Sequence, residues 1–394
     1  MMNFLRQSLS LEIVNFVDIL KRHCDFSGFK SFTKSAFVQC RKKIHPEVFK
    51  RLNGILVEEF YSDNADGVKL WNGFRVLAVD GSTIKLPYTE ELKRIYGVAK
   101  NHTNTVVVKG RVSVLYDVLN NYVIDGTLSP LETGERALAL KHLIKSKSKD
   151  LIIYDRGYGS YDFIYEHYEK DIDYLIRLSV NYSSQIEAFV AGGKKSDVVV
   201  LFPGKHLDFA NKAYDKNTGL KVRLIRVDLP TGETEVLISS LVDEQKYAYC
   251  IFKELYFKRW RVETFYDELK NKLKVEHFSG YSNISILQDF NAAIFISNVQ
   301  TLIVSDLKEE IEKITKDNKH GYKINTNLSY GFLKNRIISL FLSDKEMNQI
   351  MNELKDLFKE NLVPIRPNRS YPRNMRKYLQ RKKPTITKNY KNAI

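Results

Sequence analysis

Apolar residues recur at helical intervals through three early segments, LSLEIVNFVDILKR, FTKSAFVQCRKKI and PEVFKRLNGILVEEFYS, predicting short helices within residues 1–68. Thr33 is the expected N-cap of the middle one. From Phe74 the period changes to that of strands. FRVLAVDGSTIKL is an apolar, β-branched run that Asp80-Gly81 should end or interrupt, and NTVVVKGRVSVLYDVLNNYVIDGTLS reads as a hairpin turning at Asn120-Asn121. Helical spacing returns in ETGERALALKHLIKS, a strand DLIIYDRGY closes on Asp155, and SYDFIYEHYEK and DYLIRLS add one more helix and strand. Residues 182–247 read as all β, with a hairpin at Pro230-Thr231-Gly232. Beyond Gly280 the pattern is helical again.

Three strands, a helix, a strand and a later helix is the element order of a ribonuclease H-like α/β (α+β) core. The expected organisation is an N-terminal helical domain at 1–68, the core at 69–181 and 248–300, a β-rich insertion at 182–247, a C-terminal helical region at 301–360 and a basic tail at 361–394. The later helix is the segment from Ile251 to Val275, which has no Gly or Pro and is predicted to run unbroken for about six turns. At about 100° per residue, Tyr256, Arg259, Glu263 and Lys270 share one face. Leu255, Val262, Tyr266, Leu269 and Leu273 form the adjacent stripe that would anchor the helix.

Charge narrows the partner. The chain of 394 residues carries a formal net charge of +15, an excess of Lys and Arg that points to a polyanion, nucleic acid or an acidic membrane surface. No apolar run is long enough to span a bilayer and the first residues lack a secretory pattern, so a cytoplasmic product with no membrane partner is expected. Cys24, Cys40 and Cys250 are widely spaced, which argues against a zinc site or a disulfide framework. Basic residues from Arg366 to Lys391, with no acidic residue among them, would bind phosphates without sequence choice. The basic N-terminal helices have two readings, a DNA-contacting domain or a solvated cap on the core.

Three carboxylates can hold two divalent ions for in-line displacement at a phosphodiester, and hard oxygen ligands select Mg²⁺ or Mn²⁺. Asp80 in VDGST, Asp155 in YDRGY and Glu263 in RVETFY are the candidates, each following or lying on the right element in the right order. Each also has a plainer reading: Asp-Gly is commonly a turn, and Arg259 and Glu263 at i,i+4 can be an ordinary surface ion pair. Asp267 and Glu268 compete with Glu263 for the third place.

The spacing Tyr-x2-Arg-x3-Glu-x6-Lys, met by Tyr256, Arg259, Glu263 and Lys270, resembles the signature of the IS4-type (Tn5-like) bacterial DDE transposases, and only Glu263 has that spacing to the other three. The likeness covers most of residues 30–380 by pattern, including SFTKSAFVQCRKKI and VPIRPNRSYPR. It implies a cut-and-paste enzyme with Asp80, Asp155 and Glu263 as catalytic metal ligands for two Mg²⁺ ions, Mn²⁺ substituting. It also implies hydrolysis at the element end, a hairpin intermediate and strand transfer, with terminal inverted repeats and target DNA as partners. A homodimer would form the synaptic complex, in a nucleoid-associated cytoplasmic setting. Tyr256, Arg259 and Lys270 would hold the DNA backbone, and Arg177 matches an arginine used near an extruded base. Trp260 could stack on that base or be a half-buried core residue. Two rival functions stay open: a DNA-binding relative without catalysis, and a metal-dependent nuclease that cuts without joining.

Overall fold

The computed structural model describes residues 9–23, 28, 30–63, 67–100, 106–204, 208–342 and 347–366. The basic run expected beyond Arg366, and Cys24, lie outside them. Helices α1 (Leu9–His23), α2 (Lys34–Arg41) and α3 (Glu47–Asp63) come first. Thr33 does cap α2, its hydroxyl accepting from the Ala36 N–H at 3.1 Å. Strand β1 (Arg75–Lys85) is followed by α4 (Glu90–Tyr96), β2 (Val98–Lys100), β3 (Val106–Asp117), β4 (Val123–Pro130) and α5 (Glu135–His142). Then come β5 (Asp150–Tyr154), α6 (Tyr161–Glu169), β6 (Asp173–Leu178), α7 (Ser184–Ala191), β7 (Ser196–Leu201), β8 (Leu220–Asp228) and β9 (Thr234–Ser239). The remainder is helical, α8 (Ile251–Phe257), α9 (Trp260–Asp267), α10 (Asn283–Asp306), α11 (Lys308–Ile314), α12 (Thr326–Leu342) and α13 (Met347–Glu360), with β10 (Tyr322–Ile324) paired to β11 (Leu362–Pro364).

Two compact units divide the chain, residues 45–298 and residues 1–44 with 299–394. The first holds a nine-stranded sheet. Its strands β4-β3-β1-β5-β6 run in that order, with β3 antiparallel to β1 and β4, and β1, β5 and β6 parallel, which is the ribonuclease H-like topology. Val76, Leu77, Ala78 and Val79 are fully buried, as a central strand covered on both faces requires. The β3–β4 turn places Asn121 at φ 64°, a left-handed position that asparagine tolerates.

Residues 182–247 contain a helix as well as strands. Ser183 caps α7 by accepting from the Ile186 N–H, and Ile186 and Phe189 are buried, so a short capped amphipathic turn overrides the β reading there. Strands β7 to β9 do not form a sheet of their own. β9 pairs antiparallel with β6, extending the central sheet.

In the second unit α12 and α13 pack together, and Glu12 of α1, 5% exposed, pairs with Lys334 of α12 at 2.9 Å. Among the described residues no single helix is long and apolar enough to cross a membrane; α10 with α11 would be, but the pair is bent by 47°.

Candidate active site

The site lies where β1 loses its parallel neighbour. Pairing between β1 and β5 ends at Ala78↔Ile153, while the antiparallel ladder with β3 carries β1 on through Asp80↔Val114 to Lys85↔Lys109. Asp80 therefore does not end its strand, contrary to expectation, because β3 still holds the distal half. The opening sits on the other side, where β5 stops at Tyr154 and Asp155 follows. Asp80 on β1 and Asp155 just past β5 thus each lie two residues beyond the last β1–β5 pair, Ala78↔Ile153, at the carboxyl end of parallel strands, the place where open α/β sheets bind ligands.

Glu263 is delivered by the helical segment after β9. That segment is not one uniform helix. Between α8 and α9 the hydrogen bonds tighten, Arg259 N–H donating to the Tyr256 carbonyl at 3.0 Å and Val262 N–H to that of Arg259, and residues Glu268–Lys272 widen into a π turn. The predicted apolar stripe is buried throughout, and the Tyr266 hydroxyl donates to the Asp80 carbonyl at 2.7 Å, fastening helix to strand.

Arg259, only 3% exposed, joins the acidic groups: one nitrogen lies 3.0 Å from Glu263 Oε1 and another 3.7 Å from Asp80 Oδ2. Its ion pair with Glu263 is thus the expected i,i+4 contact; its arginine is buried while the Glu263 side chain is 39% exposed, and the same guanidinium also reaches Asp80 on β1. Asp155 Oδ1 receives the Arg156 N–H at 2.7 Å, the Arg177 guanidinium at 2.8 Å and the Tyr256 hydroxyl at 3.3 Å. Arg177 is held in turn by Glu235 of β9. Lys270 Nζ donates to Ser82 Oγ at 2.6 Å, and burial lowers its pKa.

These surroundings separate the two aspartates. Burial pushes Asp80 up to about 6, against the pull of the Gly81 N–H and Arg259. Burial acts the same way on Asp155 but is outweighed by the Arg156 N–H, Arg177 and Arg259, so Asp155 lies below its usual value. Burial also raises the Tyr256 phenol, which keeps its proton and acts as a donor.

Trp260 is 51% exposed, and its ring lies 4.9 Å from the Arg259 guanidinium. The rivals for the third carboxylate sit elsewhere, Asp267 exposed and accepting from Asn271, Glu268 near Lys272. Residues the sequence did not signal are Ser82, Glu235 and Glu135. A Cβ at Gly81 would lie 3.0 Å from the Glu135 carboxyl, so a larger residue there would push that side chain aside. The Tyr158 hydroxyl is buried without a hydrogen-bond partner.

In chemistry the set fits a hard divalent cation, since its oxygens belong to carboxylates, two of which, Asp80 and Glu263, share one positive charge. As placed, among the described residues no three His, Cys, Asp or Glu side chains could together hold one ion.

A ribonuclease H-like sheet thus carries one carboxylate on β1, one just past the end of β5 and one on α9. The family model described as "Transposase DDE domain" matches residues 71–299, more than half of the chain, and the protein belongs to that family. No curated protein matches it. Among solved structures it is similar to a piggyBac transposase synaptic complex with hairpin DNA, with TM-score 0.39 and 11% identity over 75% of this chain. The match spans 59% of that chain, less than two thirds of its length.

Proposed function

We propose that the chain is a cut-and-paste DNA transposase of an IS4-type (Tn5-like) bacterial insertion sequence, cleaving element ends and joining them to target DNA. One observation supports this reading: Asp80 and Asp155 each lie two residues beyond the last β1–β5 pair, Ala78↔Ile153, and the buried Arg259 contacts both Asp80 and Glu263. Asp80, Asp155 and Glu263 would hold Mg²⁺, or Mn²⁺ in its stead, supplying an activated nucleophile and a stabilised leaving oxygen. The chain's own cations then position the substrate. Lys270, Arg177 and Arg259 offer charge to phosphate oxygens and Tyr256 a hydroxyl donor, while Trp260 presents an exposed ring on which a splayed base can stack.

The net charge of +15 supplies sequence-independent attraction to DNA, both element ends and target. Synapsis of two ends calls for a homodimer, in a nucleoid-associated cytoplasmic setting, and a hairpin intermediate follows if the freed strand attacks its complement. The test is strand cleavage by Asp80→Ala, Asp155→Ala and Glu263→Ala in Mg²⁺ or Mn²⁺, scored beside gel-shift binding. Each variant should bind DNA and fail to cut. Wild-type cutting by any one removes that residue from the triad, and cutting without joined products would assign a nuclease instead.

A further inference from the structure

We infer that Arg259 is the resident counter-ion of the carboxylate cluster and competes with divalent cations for it, so that metal loading and release of the guanidinium are a single exchange. The inference rests on the reading of Asp80, Asp155 and Glu263 as metal ligands.

The guanidinium lies between two of the three proposed ligands, Glu263 and Asp80, and is incompletely held, while Asp155 is paired with Arg177. The guanidinium is 3% exposed and cannot shed its charge. It makes one good ion pair, 3.0 Å to Glu263, and one loose contact, 3.7 Å to Asp80, and its Nε is buried with no hydrogen-bond partner. A buried N–H left unpaired is costly, which favours any arrangement in which that group finds an oxygen. Tyr256 and Trp260 rings flank it at 5.9 and 4.9 Å, and the Trp260 ring reaches solvent, marking the side towards which the guanidinium can turn. While it stays inside, Glu263 and Asp80 have it as their shared counter-ion. On leaving, it keeps a planar fork suited to two oxygens of one DNA phosphate. The same side chain then serves the carboxylates before loading and the phosphate after it.

Mn²⁺ alone is the probe, titrated into the full chain and followed by the loss of free-ion signal in electron paramagnetic resonance. Arg259→Gln removes the charge and should bind Mn²⁺ roughly tenfold more tightly or better, since a full charge about 4 Å from a carboxylate outweighs one decade of affinity at a protein-like dielectric. Arg259→Lys, which keeps the charge, should stay near wild type. Glu263→Gln should lose binding. Thermal melting gives a readout free of both DNA and activity: in EDTA the Arg259→Gln protein should melt lower than wild type, and saturating Mn²⁺ should raise it by more. If Arg259→Gln is folded only with Mn²⁺ present, the exchange is supported; if it is unfolded with and without Mn²⁺, Arg259 is a structural prop and the inference fails. Unchanged or weaker Mn²⁺ binding by Arg259→Gln, with Glu263→Gln still defective, overturns the inference and leaves the triad standing. Wild-type binding by Glu263→Gln overturns the triad, and the inference with it.

Discussion

Asp80 should make the metal-free protein less stable at neutral pH than at acid pH, and replacing it by asparagine should stabilise the fold. Burial raises its carboxyl from an ordinary 3.8 to about 6, so the folded chain binds this proton more tightly than the unfolded chain does. For a group shifted upwards, stability falls as pH rises between the two values, is fully lost above the upper one and is undiminished below the lower one. At about 1.4 kcal/mol per pH unit the rise corresponds to about 3 kcal/mol, an upper bound because the side chain keeps 22% of its exposure. In EDTA near pH 7.5, Asp80→Asn should therefore gain up to about 3 kcal/mol in urea unfolding, and near pH 4 it should gain almost nothing. Wild-type stability for Asp80→Asn at both pH values would refute the claim that burial of an unneutralised carboxylate dominates this position. A loss at neutral pH would show instead that its contact with Arg259 matters more than its desolvation.

Two further outcomes follow from the site and the tail. Lys270→Ala should spare the first nick and slow hairpin formation, read as nicked product accumulating in a time course on a labelled element end; equal loss of both steps would mean that the lysine, through Ser82, merely supports β1. Deleting residues 366–394 should make DNA affinity less steeply dependent on salt, since each phosphate contact contributes about 0.9 to the log–log slope on duplex DNA; an unchanged slope would mean the tail does not touch DNA.

Local patterns reported the elements well. The burial stripe of the helical segment from Ile251, the Thr33 cap and the hairpins at Asn120-Asn121 and Pro230-Gly232 are short-range signals, and the chain uses each as it reads. What depended on partners distant in sequence was not legible. Nothing near Asp80 announces that β3 would hold β1 together beyond it, or that Glu135, far along the chain, would close over Gly81. Glu235 carries no motif, yet it fixes the arginine that fixes Asp155. The helix from Ile251 was legible as a helix but not as an uneven one, because hydrophobic periodicity averages over turns of different width.

That unevenness bears on how the Tyr-Arg-Glu-Lys spacing is to be understood. Arg259 sits where the coil is wound tight and Lys270 where it is wound loose, so the intervals between them are measured along a rod of changing pitch. Regularising the rod would swing the lysine about the axis relative to Glu263 without touching either residue. The spacing and the winding are therefore one specification, and a graft of the four side chains onto an ideal α-helix would reproduce the letters of the motif but not its aim.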